Sequence, residues 1–282
     1  MIRSSKALST AFVLIFLLLA GAGCATEEER HEVAAERFAN QVKEERDVGR
    51  AMAAKLAGTL GVDDSSPALT HYVDLVGHTL SIKANRPELA YHFAILKPEE
   101  ANAFATPGGY IFVTRGVLKS VRNESELAGI LGHEITHVTE KHMYKAIMPD
   151  RDVSVGETAT RLLSRGGSDF GASLGKYVNA GLDILLEKGL GQEKEQEADT
   201  GGVLLAASAG YDPGALYQVL ERLSKADSAV KVSKTHPPFP ERLKALQTFL
   251  ARNGFKPGAF KADARALDAR FKASMASLTG SK

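Results

Sequence analysis

Gly132-His133-Glu134-Ile135-Thr136-His137-Val138 lies inside a segment with helical periodicity. Leu127, Leu131, Ile135 and Val138 recur at the spacing of one helix face. Asn123 is suited to cap the N-terminus, and Glu126 stands where the reciprocal half of a capping box belongs. At about 100° per residue, His133 and His137 fall on another face, one turn apart, so both imidazoles can reach one metal ion. Glu134 projects beside them, placed to act on water at that metal without being a ligand. With both faces occupied, the helix is predicted to be largely buried. The bland alternative is a buried helix with two satisfied histidines. Eight histidines in 282 residues make a chance match an event of about one chain in a hundred, so the rest of the sequence has to decide.

Downstream, Glu193-Lys194-Glu195-Gln196-Glu197-Ala198-Asp199 leads into Gly201, Gly202 and a small-residue helix. An acidic run is most often a solvated face; its pairing with two spaced histidines reverses that reading. Glu195 and Asp199 share a face one turn apart. Glutamate completes a catalytic His₂Glu zinc set, and a carboxylate one turn on can accept the other N–H of a ligating histidine. Gly202 on the same side allows close helix approach. Further on, His236 sits in Thr235-His236-Pro237-Pro238-Phe239-Pro240, a turn whose prolines can stiffen the backbone and aim the ring.

Upstream, Tyr91–Leu96 alternates, Asn102–Ala105 is short and Tyr110–Thr114 is β-branched and aromatic, with Thr106-Pro107-Gly108-Gly109 as turn chemistry. These strands predict a small antiparallel sheet beside the cleft. Tyr110, Ile111, Phe112 and Val113 are its candidate substrate-binding residues, an outer edge that pairs with extended peptide. The glycine-interrupted stretch 148–176 reads as a lid or a surface loop. The fold class is therefore α+β, mostly helical, with a metal-binding helix at its core.

At the start, Arg3 and Lys6 precede an apolar run from Ala7 to Ala22, too short for a membrane span and shaped like a signal peptide. Cys24, the single cysteine, follows in a lipobox-like context and is the candidate lipidation site, although Gly21 stands where Leu is usual and Ala20-Gly21-Ala22 also offers an A-x-A site for ordinary signal peptidase. Residues 1–23 are expected to be the signal, 24–44 a charged leader, 45–250 the metallopeptidase domain and 251–282 a helical extension. Without Arg3 and Lys6, the 35 Lys and Arg become 33 against 34 Asp and Glu, a balance that argues against nucleic acid as partner.

Taken together, Asn102-Ala-Phe-Ala-Thr-Pro-Gly-Gly-Tyr-Ile-Phe-Val113, the His133–His137 motif, Glu195-Gln-Glu-Ala-Asp199 and His236-Pro-Pro resemble the gluzincin metallopeptidases of the HtpX and CAAX-prenyl-protease superfamily. The chain is most similar to the soluble periplasmic BepA/LoiP-like members. The resemblance covers roughly residues 45–250 and implies one Zn²⁺ per chain held by His133, His137 and Glu195. It implies Glu134 as the catalytic residue, Asp199 behind the ligands and His236 near the zinc. It also implies an endopeptidase of the bacterial periplasm acting on unfolded or misassembled envelope proteins, and acylation of Cys24 would anchor it by lipid, as expected at the outer membrane. No tetratricopeptide-repeat pattern follows residue 250, so docking of that kind is not expected. Two roles fit His236: occupying the fourth zinc position as an inhibitory switch, which the resemblance favours, or donating a hydrogen bond to an oxyanion. The competing class is a zinc-binding chaperone or scaffold lipoprotein with little proteolysis.

Overall fold

A computed structural model describes residues 26–149, 170–225, 235–236, 239–255 and 264–279. Cys24, the signal region 1–23, most of the stretch 148–176, and Pro237 and Pro238 lie outside the described residues. The chain forms two compact units that meet between Gln41 and Val42 in sequence. The first unit contributes the opening of a long helix, α1 (Glu27–Leu60), exposed from Glu27 to Asn40. A capping box starts it: Glu29 N–H donates to Thr26 Oγ1 at 3.2 Å, and Thr26 N–H donates to the Glu29 carboxylate at 2.8 Å.

In the second unit, α1 buries Val48, Met52 and Leu56 on one stripe. Next comes α2 (Pro67–Ser81), whose N-cap Ser66 accepts from Leu69 N–H, with proline in the first turn. Three strands follow, β1 (His92–Leu96), β2 (Ala103–Thr106) and β3 (Tyr110–Thr114). Among the described residues the further α-helices are α3 (Arg115–Ser120), α4 (Glu124–Thr139), α5 (His142–Ile147), α6 (Phe170–Asp183), α7 (Gln192–Ser208), α8 (Ala215–Ser224), α9 (Phe239–Arg252) and α10 (Ala264–Thr279). A π-helical segment, Ile184–Lys188, extends α6. The α+β, mostly helical class expected from the sequence is what the chain adopts.

The sheet is mixed, not antiparallel as the sequence suggests. Its order is β1-β3-β2, with β1 parallel and β2 antiparallel to β3. Two successive reversals make the first and third strands parallel, and the hairpin seats β3 between its neighbours. This overturns the expectation that Tyr110, Ile111, Phe112 and Val113 form a peptide-binding edge, because both sides of β3 are paired. A near-continuous apolar run such as Tyr-Ile-Phe-Val is the pattern of a strand buried on both faces. From Phe170 onward the stretch read as lid or loop is helix: Val178 and Leu182 supply an apolar face, and Gly181 lets the side chain of Met52 approach.

Helix α4 is the centre of the packing, and every residue from Glu126 to Val138 is buried. Asn123 caps it by accepting from Glu126 N–H at 2.9 Å. The Glu126 carboxylate reaches back to Arg122 N–H at 2.7 Å, one residue earlier than a regular capping box. Arg222 of α8 holds that carboxylate at 2.9 Å, which draws it off the expected position. In the same turn the buried Glu124 accepts from Arg270 Nε of α10 at 2.8 Å and from the Tyr211 hydroxyl at 3.0 Å. Phe271 and Leu278 of α10 belong to the same core as Leu127 and Leu131, so the C-terminal helix covers the start of α4.

Helices α4 and α7 cross at two glycines. A Cβ on Gly132 would stand 2.9 Å from the Gly202 carbonyl oxygen, and one on Gly202 would stand 2.6 Å from His133 N. Those obstacles are backbone atoms and cannot rotate away. Gly202→Ala is therefore expected to force α7 off α4, costing about 1–3 kcal/mol in denaturant unfolding. Because each helix brings its own side chains to the crossing, metal affinity should fall with it. Wild-type values of both would contradict this account.

Candidate metal centre

The crossing sets four donor groups against one another. His133 and His137 come from α4, Glu195 from α7, and His236 from the segment before α9; one ligand atom of each lies within 4.8 Å of the others. His133 Nε2 and His137 Nε2 are 3.0 Å apart, and each stands 3.5 Å from a Glu195 carboxylate oxygen. Bonds of about 2.0–2.1 Å to a tetrahedral zinc separate its ligand atoms by about 3.3 Å, so this donor set fits that ion in chemistry and spacing. His236 Nδ1 lies 2.8 Å from Glu195 Oε2, and its Nε2 faces the Ala103 carbonyl oxygen at 3.4 Å. Its side chain is 22% exposed, against 5%, 3% and 1% for His133, His137 and Glu195.

Behind the donors stand groups that fix them. Asp199, one turn beyond Glu195, lies 2.9 Å from His133 Nδ1. A carboxylate there accepts a hydrogen bond from Nδ1–H and leaves the Nε2 lone pair facing the other donors. Arg242, in the first turns of α9, escapes the sequence reading although it follows the His-Pro stretch by two residues. It donates to Asp199 through Nε at 2.8 Å and Nη2 at 2.6 Å, and its Nη1 lies 3.2 Å from Glu195. His142 of α5 escapes it too, with Nδ1 2.8 Å from His137 Nδ1. Its only sequence signal is a third histidine five residues beyond the motif.

Burial and these partners set the ionisation. Burial works against charge on His133, but hydrogen bonds and attraction from Asp199 and Glu195 prevail and push its pKa up to about 10. Burial, reinforced by the charge on His133, takes His137 down to about 3 despite its bond to Glu195. Without metal, a proton is thus favoured on His133 and disfavoured on His137, and holding a metal ion would require both Nε2 atoms free of protons. Glu195 is held well below its usual range: burial opposes this, and His236 with the other histidines outweighs it. Burial raises Glu134, which is 2% exposed, and so favours a carboxyl able to take up a proton.

Glu134 faces a narrow cleft together with His137, Glu195 and His236. Apolar walls come from Met143, Ile184, Leu185 and Leu190, and β2 forms the opposite side through Ala103 and Ala105. Gly189 (φ 71°) runs under this wall, where a Cβ would fall 2.1 Å from the Thr235 carbonyl oxygen. Thr114 N–H donates to Asn102 O at 3.0 Å, so by alternation Asn102, Phe104 and Thr106 bond to β3. Ala103 and Ala105 then turn their peptide groups away from the sheet, towards the cleft. The edge sought in β3 is thus offered by β2.

Arg242 compensates two interior carboxylates. Arg242→Met keeps most of the side-chain length and removes the charge, and should cost the metal-free protein about 3–5 kcal/mol in urea unfolding. Arg242→Lys should recover only part of this, since an ammonium cannot form the paired bonds to Asp199. A methionine variant as stable as wild type would refute the charge-compensating role.

Residues 67–250 match the model of Peptidase family M48. A beta-barrel assembly-enhancing protease of Yersinia pestis is 33% identical over 189 residues, 63% of this chain and 38% of that protein. The mitochondrial metalloendopeptidase OMA1 of Schizosaccharomyces pombe is 28% identical over 186 residues, 64% of this chain and 53% of that one. Metalloprotease LoiP of Escherichia coli is 27% identical over 169 residues, 58% of this chain and 65% of that one. The chain thus spans well under half the length of the first of these relatives. The match to the family model takes in every donor described above, and the chain belongs to peptidase family M48, the zinc metallopeptidases.

Proposed function

We propose that this chain is a zinc endopeptidase of the bacterial periplasm that degrades misfolded or unassembled envelope proteins. The observation that carries the catalytic reading is the convergence of His133, His137 and Glu195 beside a buried Glu134 in one cleft. On this reading the first three residues hold the metal and Asp199 orients His133. Zinc, when bound, lowers the pKa of a water and polarises the scissile carbonyl. Glu134 takes the proton of the attacking water and delivers it to the leaving amine. The outer edge of β2 holds the substrate backbone by pairing, which suits clients of varied sequence. Names of the relatives that refer to β-barrel assembly support envelope substrates. A lipid on Cys24 placing the enzyme at the outer membrane, a leader over 24–44 and a catalytic domain over 45–250 complete the proposal. Among the described residues, no helix is long and apolar enough to cross a membrane.

His236 fits a fourth donor that holds the enzyme at rest. It is the most exposed of the four, and its Nδ1 lies 2.8 Å from Glu195 on the metal side. Removing it opens the fourth position for water.

Casein cleavage by the mature chain, at matched zinc content, tests the assignment. Glu134→Gln should keep zinc and lose turnover by at least about 10²-fold, while His236→Ala should raise turnover. Cleavage undiminished in Glu134→Gln, or absent from every variant, would leave the zinc-binding scaffold as the better reading. The strand assignment has its own test. Ala105→Pro removes one outward donor without touching a β2–β3 bond, and should raise KM about 3–10-fold with kcat little changed. A KM equal to wild type would take β2 out of substrate binding.

A further inference from the structure

Beyond the motif, the backbone does something unusual. His137 and His142 are five residues apart, and on an unbroken helix their side chains would diverge by about 140°. Instead α4 ends and Lys141 adopts a left-handed conformation, φ 56° and ψ 31°, the one positive φ among the described non-glycine residues. This conformation is unfavourable for a lysine, and it swings α5 round so that His142 faces His137. The two Nδ1 atoms are 2.8 Å apart. On its other side, His142 Nε2 lies 3.1 Å from Glu197 Oε2, five residues before Gly202, the α7 position that meets Gly132 at the helix crossing. Lys194 Nζ holds the same carboxylate oxygen at 3.2 Å. His142 is 2% exposed, whereas the Glu197 side chain is 44% exposed.

Only one assignment of protons satisfies this row with neutral rings. The Glu197 carboxylate can only accept, so His142 carries its proton on Nε2. Its Nδ1 is then an acceptor, and the short contact requires His137 to donate from Nδ1. That leaves the lone pair of His137 on Nε2, facing His133 and Glu195. We propose that His142 and Glu197 form a positioning relay through which a surface carboxylate fixes the tautomer of His137 and strengthens its hold on the metal. His133 has the equivalent support directly from Asp199; in that place His137 meets a second imidazole, and through it reaches a carboxylate. The inference rests on His137 being a metal ligand, as proposed above.

The full chain labelled with ¹⁵N in its histidine rings and loaded with zinc gives the direct test. Long-range ¹H–¹⁵N spectra should show His142 protonated at Nε2 alone and His137 at Nδ1 alone. A proton on Nδ1 of His142 overturns the proposal. Zinc affinity, read by competition with a chelator, gives the second test. His142→Leu should weaken zinc about 10–100-fold. His142→Asn places an acceptor oxygen near the position of Nδ1, and should restore affinity to within about threefold of wild type. Equal affinities in the Leu and Asn variants, at any level, would mean that His142 acts by its volume. Should the leucine variant not fold, Glu197→Ala at the surface replaces it, with a loss of about tenfold expected and no loss overturning the relay. His137→Ala separates the two readings: unchanged zinc there refutes His137 as ligand, whereas zinc lost there and kept in His142→Leu refutes only the relay.

Discussion

Glu195 and Asp199 are each about 1% exposed and sit one helical turn apart on α7. Two interior carboxylates so placed would cost several kcal/mol apiece if left alone. Arg242 bonds to Asp199 with two nitrogens and approaches Glu195 with the third, so one guanidinium answers both. The sum still falls one positive charge short. In the metal-free protein the same two carboxylates push His133 up to about 10 against its burial, and Glu195 draws His236 upward as well. A divalent ion held by His133, His137 and Glu195 would supply positive charge at the same point. The same arrangement therefore stabilises the fold and creates demand for a cation at one point, which is why a group as remote as Arg242 belongs to the account of the metal.

Charge alone would not give the spacing. Helix α7 can bring its carboxylates to two imidazoles of α4 only because Gly132 and Gly202 let the backbones meet. The crossing is also why α4 is buried around its whole circumference: apolar residues face α2, α8 and the sheet, and the polar face meets α7. At its start, Glu124 and Glu126 tie α4 to α10 and α8 through Arg270 and Arg222.

Helix α4 is legible in the sequence because its cap, apolar stripe and spaced histidines all lie within a few turns and obey one period. Asp199 and Gly202 can be read because they share a helix face with Glu195. What is not legible depends on contacts across sequence distance. Arg242 stands 43 residues from Asp199, and nothing local distinguishes it from a surface arginine. His142 is hidden by the left-handed Lys141, since a regular helix would point it elsewhere. The sheet is misread because strand propensity reports a pleated, half-buried surface and carries no strand order. The unbroken apolar run of β3 is the clue to a central strand; the small alanines of β2 are the clue to an edge that another backbone can approach.

The four donors are not equally held, and the difference bears on how such a site is controlled. His133 is fixed by Asp199, His137 by His142, and Glu195 by Arg242, all from packed helices. His236 has a bond to Glu195 and a long contact to the Ala103 carbonyl oxygen, and it lies in a turn outside any helix. Three donors are thus over-determined and one is not. The Ala103 carbonyl is also an outward group of β2, the strand proposed to pair with substrate. A ring that leaves the metal on the proposed reading therefore releases two things together: the fourth coordination position and an acceptor on the strand edge. On that proposed reading an extended peptide pairing with β2 would compete with His236 for Ala103, so that substrate binding and removal of the resting ligand would be one equilibrium. Its position is set by how much better the peptide bonds to that edge than the ring does.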